Sequence, residues 1–133
     1  MSSERQCVYT VQPGGKLTGN IRVPGDKSIS HRSIMLGAIA EGTTEVSGFL
    51  EGEDNLATLN AFREMGVNIQ GPDNGQVIIE GVGLHGLKQP ASALYLGNSG
   101  TSMRLLTGLF AAQAFDCELT GDTSLSSRPM KRV

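Results

Sequence analysis

Leu17-Thr18-Gly19-Asn20-Ile21-Arg22-Val23-Pro24-Gly25-Asp26-Lys27-Ser28-Ile29-Ser30-His31-Arg32 is the stretch on which the fold turns. Leu17–Val23 reads as a strand, ended by Pro24-Gly25. Ser28 or Ser30 then caps a helix whose apolar face is Ile34, Met35, Ala38 and Ile39, with Gly42 as its stop. A strand that turns tightly into a helix is one half of a β-α-β unit. Lys27 falls in the turn, Ser28 at the cap, and Arg32 one helical turn beyond Ser28 on the same face. Three donors of different reach around one helix start suit a phosphate or a carboxylate.

The same unit recurs 72 residues later, where Gly97-Asn98-Ser99-Gly100-Thr101-Ser102-Met103-Arg104 aligns with Gly25–Arg32. Gly, Ser and Arg coincide and Asn faces Asp, again between an expected strand and an expected helix. A slip of one residue pairs Glu45-Val46-Ser47-Gly48 with Glu118-Leu119-Thr120-Gly121. Duplication explains this better than chance and gives a symmetric α/β architecture with equivalent helix starts.

Between and after these copies the pattern stays α/β. Thr44–Leu50 is a second strand. Asp54 caps a helix carrying Leu56, Leu59, Phe62 and Met65, closed by Gly66. Val67–Gln70 and Gln76–Glu80 flank Gly71-Pro72-Asp73-Asn74-Gly75, whose Asn-Gly is a strong hairpin signal. Ala93–Leu96 is a strand, Thr101–Ala114 a helix and Cys117–Thr120 a strand. Pro129 suits the first position of a further helix, so the sequence is expected to stop just inside one. The order is β-α-β-α-β-β followed by β-α-β.

With 133 residues, 38% hydrophobic and 18% charged, the chain can bury a core and amounts to one domain or a piece of a larger one. Its net charge of −2 argues against bulk nucleic-acid affinity. No apolar run approaches the roughly 18–20 residues of a membrane span, and Met1–Gln6 is no signal peptide. Cys7 and Cys117 read as two reduced thiols rather than a disulfide or a metal motif. Where the charge sits says more than its sum. Ser33–Glu80 holds eight acids and a single base, Arg63, while bases gather at Arg22/Lys27/Arg32, at Arg104 and at Arg128/Lys131/Arg132. Each group sits among Gly, Ser or Thr, as an anion site requires; ordinary surface bases are the alternative.

Two other motifs fail on context. Gly81-Val82-Gly83-Leu84-His85-Gly86 matches the dinucleotide fingerprint, but Lys88-Gln89-Pro90 breaks any following helix and no acid follows until Asp116. Gly14-Gly15-Lys16 lacks both the leading glycine and the Ser/Thr of a P-loop. His31 could serve as an acid or base, but one position off the Ser28/Arg32 face it is expected to point elsewhere.

Pro24–Arg32 resembles the Pro-Gly-x-Lys-Ser-x-Ser-x-Arg signature of the 5-enolpyruvylshikimate-3-phosphate synthase (3-phosphoshikimate 1-carboxyvinyltransferase) family. Leu96–Arg104 is similar to its second signature, and Leu119–Asp122 running to Ser127–Met130 to its third. The resemblance covers nearly the whole chain but only the N-terminal part of the family's longer, two-domain protein. The sister family, UDP-N-acetylglucosamine 1-carboxyvinyltransferase, is the runner-up. It has Lys-Asn where this chain has Lys27-Ser28, and neither Cys7 nor Cys117 matches its reactive cysteine.

The resemblance implies an inside-out α/β barrel of repeated βαβαββ units, incomplete in this chain. Residues 1–16 would carry a strand, near Val8–Val11, that belongs to the family protein's other domain. Residues 17–133 would be a partial substrate-binding domain. The implied activity moves the enolpyruvyl group of phosphoenolpyruvate to the 5-hydroxyl of shikimate 3-phosphate, in the cytoplasm, on the way to the aromatic amino acids. Lys27, Ser28 and Arg32 would bind shikimate 3-phosphate; Lys27, Gly100 and Arg128 would bind phosphoenolpyruvate, at the site the inhibitor glyphosate targets. Asn98, Thr101 and Arg104 would line or brace the second turn, with a structural role for Arg104 equally open. The proton-transfer acids would lie in the missing C-terminal part, so no catalytic residue is expected here, and no metal or cofactor. The expected partners are the two substrates and that missing part, with neither nucleic acid nor membrane. A non-catalytic phosphate-binding fragment is the second functional class.

Overall fold

Helices and strands are interspersed through the residues that the computed structural model describes, 7–131 and 133. In order they are α1 (Lys27–Ile39), β1 (Glu41–Val46), α2 (Glu53–Glu64), β2 (Asn68–Asp73), β3 (Gln76–Val82), β4 (Leu94–Tyr95), α3 (Gly100–Phe110), β5 (Leu119–Thr120) and α4 (Thr123–Ser126). The fold is mixed α/β.

Strands β1, β3 and β2 form an antiparallel sheet in that order, with Glu41 opposite Val82 and Val46 opposite Val77. The β2–β3 turn is the expected Asn74-Gly75, and both residues have positive φ, 49° and 74°. That geometry matches the twist of the paired strands, and Asn and Gly tolerate it best. Period-two alternation buries Val77 and Ile79 and leaves Gln76, Ile78 and Glu80 outside. Over the buried face lie Ile34 and Ala38 of α1 and Leu59 and Phe62 of α2, all fully buried, with Met65 just beyond α2. Their spacing is the apolar stripe seen in the sequence.

The second unit is shorter. Strands β4 and β5 pair in parallel, Leu94 with Leu119 and Tyr95 with Thr120, and α3 makes the crossover between them. Two local contacts mark it as a repeat of the first. Arg32 Nη1 donates to Ser28 O at 3.1 Å, and Arg104 Nη1 donates to Gly100 O at 3.1 Å. A Cβ on Gly25 would lie 1.9 Å from Gly48 O, while one on Gly121 would lie 2.7 Å from Gly97 O. In both copies, the turn before the helix presses on the glycine that follows the next strand.

Several expectations need correction. Leu17–Val23 forms no strand, and Leu17, Ile21 and Val23 are exposed; Val8–Val11, expected to belong to another domain, is unpaired among the described residues. A strand exists through its ladder, and no described strand pairs with these residues. Asp26, not Ser28 or Ser30, caps α1, with Oδ1 accepting from Ile29 N at 2.7 Å. Lys27 is therefore the first helical residue rather than part of the turn. Helix α1 closes at Ala40, and Gly42, at φ 91°, lies inside β1. Strand β1 also starts earlier than expected and ends at Val46, before Gly48 turns the chain at φ 70°. Gly52 caps α2, with Asp54 in its first turn. Helix α3 ends at Phe110, and α4 follows Asp122 where none was expected, whereas no helix opens at Pro129 among the described residues.

The dinucleotide-like glycines have a packing explanation. A Cβ on Gly81 would lie 2.2 Å from Ala40 O, where the end of α1 rests on β3, and one on Gly86 would lie 1.8 Å from Val82 O. Gly83 holds a positive φ of 78°. Cys7 and Cys117 are both free thiols, the first exposed and the second half-buried.

Candidate functional site at two helix starts

Because Asp26 takes the capping role, the hydroxyl of Ser28 is left unspent at the exposed second position of α1. The N–H groups of Lys27 and Ser28 belong to the first turn and have no intrahelical acceptor. Arg32 stands one turn above, its guanidinium folded back onto Ser28 O. All three expected residues thus share one exposed helix start. Lys27 Nζ is paired with the carboxylate of Asp54, at the start of α2, an ion pair about half open to solvent on the lysine side. An arriving phosphate must share Lys27 with Asp54 or displace it. Sequence reasoning placed Asp54 only as a cap. The pairing joins residues 27 apart, and no local signal announces it.

At the second start, Ser99 caps α3 by accepting from Ser102 N at 3.1 Å. Gly100 follows as the first helical residue. A Cβ there would lie 2.8 Å from Arg104 Nη1 and 3.1 Å from Arg128 Nη1, so two guanidinium groups converge on the bare backbone of Gly100. Arg104 is engaged by carbonyls, those of Gly100 at 3.1 Å and Pro129 at 3.3 Å, which ties α3 to the segment after α4. Arg128 Nη2 donates to Asn98 Oδ1, and Asn98 Nδ2 donates to Asp122 Oδ2 at 2.7 Å. Asp122 fixes which way the Asn98 amide faces, and the amide oxygen then aims Arg128. Sequence reasoning placed Asp122 in the third signature without a role in holding Asn98 and Arg128. It also caps α4 through Leu125 N at 2.7 Å. Thr101 sits half-buried in the first turn of α3.

The structure brings Asn98, Gly100, Arg104 and Arg128 together, and separately Lys27, Ser28 and Arg32. The described residues show no hydrogen bond between these two groups directly. Their link runs through the interior, where His31 meets Ser102. His31 is fully buried, as its position off the Ser28/Arg32 face predicts, and it is no surface acid or base.

The hydrogen bond from Asn98, followed by that from the Leu125 N–H, holds the Asp122 carboxyl below the usual aspartate range. A depressed carboxylate stabilises the fold fully above its ordinary value and loses that contribution as pH falls below about 4. Asp122→Asn is therefore expected to lower the melting temperature at pH 7 and to flatten its decline between about pH 5 and 2. An unchanged acid limb in thermal melts would show that the carboxylate does not hold the turn.

A family model described as EPSP synthase (3-phosphoshikimate 1-carboxyvinyltransferase) matches residues 11–133. A protein of that second name from Methylococcus capsulatus is 68% identical over 130 residues, covering 98% of this chain and 30% of the relative. Another from Hydrogenovibrio crunogenus is 68% identical over 125 residues, 94% of this chain and 28% of the relative. Among solved structures, EPSP synthase from Acinetobacter baumannii superposes with a TM-score of 0.83 at 74% identity, covering 86% of this chain and 26% of that one. The chain spans about 30% of the length of the curated relatives it matches.

Proposed function

This chain belongs to the EPSP synthase family, and we propose on that basis that it is the part of a 3-phosphoshikimate 1-carboxyvinyltransferase that grips the anionic ends of both substrates. The reaction forms a bond between the 5-oxygen of shikimate 3-phosphate and the central carbon of phosphoenolpyruvate, then breaks that carbon's bond to phosphate. Lys27, Ser28 and Arg32 bind shikimate 3-phosphate. Gly100, through its backbone, and Arg128, as a two-pronged donor, bind phosphoenolpyruvate, with Lys27 shared by both. Asn98 and Asp122 orient Arg128, and Arg104 braces the turn. The observation that carries this reading is the pair of equivalent helix starts, each with an unspent first-turn N–H among the described residues (Lys27 and Ser28 in α1, Thr101 in α3) and arginine in reach.

The reaction also takes a proton off the hydroxyl, adds one to the methylene carbon, and removes one from the resulting methyl as phosphate leaves, which requires an acid and a base. Those groups belong to the remaining two-thirds or so of the synthase, so this chain alone binds without turning over. Residues 17–133 then form part of an inside-out barrel, completed by further βαβαββ units, and 1–16 lead into the other domain. A cytoplasmic setting follows from the pathway; no helix among the described residues is long and apolar enough to cross a membrane. As a module by itself, spanning about 30% of its relatives, the chain acts as a phosphate-binding fragment. The sister UDP-N-acetylglucosamine reading is the weaker one, because Lys27-Ser28 departs from its motif.

Titrating the 133-residue chain with shikimate 3-phosphate by NMR is expected to move amide signals at residues 25–32 first. A phosphate-release assay with both substrates should stay at background. Absent or scattered shifts would remove the site assignment, and turnover by the pure chain would falsify the fragment reading.

A further inference from the structure

The polar cluster where α1, α2 and α3 meet plays no part in gripping either substrate. His31, Thr58 and Ser102 are fully buried, and Ser99 is 1% exposed. His31 Nδ1 lies 2.8 Å from Thr58 Oγ1 and 3.3 Å from Ser102 Oγ, and those two hydroxyls are 2.5 Å apart. Ser102 Oγ is 2.7 Å from Ser99 Oγ, the cap of α3. Thr58 Oγ1 also reaches Asp54 O at 3.2 Å, one turn from the carboxylate that holds Lys27. The cluster therefore touches the first motif at His31 and the second at Ser99 and Ser102.

Thr58 has a single hydroxyl proton, which goes to the Asp54 carbonyl, so Ser102 must donate to Thr58 and, its own proton spent, accept from Ser99. Thr58 then has a lone pair left for one more donor, and His31 Nδ1–H supplies it. His31 Nε2 has no partner among the described residues. As a bare lone pair it is tolerable, whereas an N–H there would be an orphaned buried donor, the rarer defect. A charged ring would place that orphan N–H near Lys27 and Arg32, with Asp54, already paired to Lys27, the opposing charge.

We propose that His31 is a positioning residue, which as the neutral Nδ1–H tautomer ties α1 to α2 and α3 through Thr58 and Ser102 and so sets the spacing between the two ligand-gripping helix starts. The proposal rests on the substrate reading above for its purpose, but not for its geometry. Helix α1 packs mainly on α2 and β3 and meets α3 over a short stretch, so packing alone leaves that spacing loosely set. Directional bonds in a buried site admit one arrangement where apolar contact admits several.

The test uses the 133-residue chain labelled at histidine nitrogen. His85 is exposed and serves as the internal reference. His31 is expected to show the Nδ1–H pattern and to stay neutral where an ordinary imidazole takes up its proton. Thr58→Val, which removes the hydroxyl at nearly constant volume, should shift amides in both 25–32 and 97–104 while leaving β2 and β3 in place. It should also weaken shikimate 3-phosphate binding about fivefold, the equivalent of one lost hydrogen bond. Thr58→Ser should bind within about twofold of the parent, a rescue that cavity filling alone does not give. Should Thr58→Val not fold, Ser102→Ala reads the same link in a residue that favours helix. His31 taking up a proton in the ordinary histidine range, or a folded Thr58→Val with unchanged shifts in both motifs, would overturn the positioning role. A parent chain with the His31 signature that ignores shikimate 3-phosphate would instead overturn the substrate reading, and the amide shifts would still decide the positioning.

Discussion

Gly25→Ala should destabilise the chain by about 2–3 kcal/mol, the upper end of what overpacking does, and erase binding of shikimate 3-phosphate at the first helix start. The new Cβ would lie 1.9 Å from Gly48 O, 3.1 Å from Gly48 C and 3.2 Å from Leu50 N. All three are backbone atoms, so no flexible side chain can yield. Relief requires the turn before α1 to part from the loop after β1. That loop is itself tied to α1, since Leu50 N donates to Ser30 Oγ at 2.9 Å. Separation would therefore move the first turn that carries Lys27 and Ser28. Gly108→Ala is the matching control, because a Cβ there meets nothing within 4 Å and the site lies inside α3. Alanine at that position should raise stability by up to about 1 kcal/mol. Urea melts of the two variants decide the matter, and equal stability of Gly25→Ala and parent would mean that the turn and the loop slide freely.

The parts of the fold legible in the sequence are those that local physics decides. Leu59, Phe62 and Met65 recur at helical spacing and all three are fully buried. Asn74-Gly75 demands positive φ at two successive residues, which few turns other than this hairpin use. The inward turn of His31 followed from its offset from Ser28 and Arg32 by less than a full helical turn. What failed needed a partner. Leu17–Val23 has the composition of a strand but no neighbour to pair with among the described residues, so its apolar side chains stay exposed. Helix caps were ambiguous because Asp26, Ser28 and Ser30 are all good N-caps within one turn, and the competition is settled by where the β1 loop holds the backbone.

The candidate site divides along the same line. Lys27, Ser28, Arg32, Asn98, Gly100, Arg104 and Arg128 stand out through motif and repeat, each beside small residues at a helix start. Asp54 and Asp122 do not, since their meaning comes from side chains far away in sequence: Lys27 for one, Asn98 and through it Arg128 for the other. The repeat was legible, and it carried information about contacts as well. Arg32 and Arg104 fold back on the carbonyl four residues earlier in the same way. Arg104 has a further tie to Pro129 O, which makes it a brace, while Arg32 has no second acceptor among the described residues.

That difference leads to the second large effect, at Gly100. Gly100→Ala should leave the fold intact and weaken phosphoenolpyruvate binding about tenfold or more, the equivalent of losing a charge-assisted hydrogen bond of about 1.5–3 kcal/mol. The added Cβ would lie 2.8 Å from Arg104 Nη1 and 3.1 Å from Arg128 Nη1, the far ends of flexible side chains, so the guanidinium groups swing aside rather than the backbone. As the first residue of α3, alanine also favours the helix over glycine, so thermal stability should hold or rise slightly. Arg128→Ala should produce a similar loss by removing one of the groups that Gly100→Ala displaces. The double variant should then lose less than the two single losses combined, because both act on one guanidinium. Shikimate 3-phosphate, gripped at the other helix start, should bind all three variants within about twofold of the parent, a change well below one hydrogen bond. Isothermal titration with each substrate separately, on the 133-residue chain, measures all of this. Full additivity would mean that Gly100 and Arg128 serve the ligand independently; a loss of shikimate 3-phosphate as large as that of phosphoenolpyruvate would mean that the two helix starts form one undivided pocket.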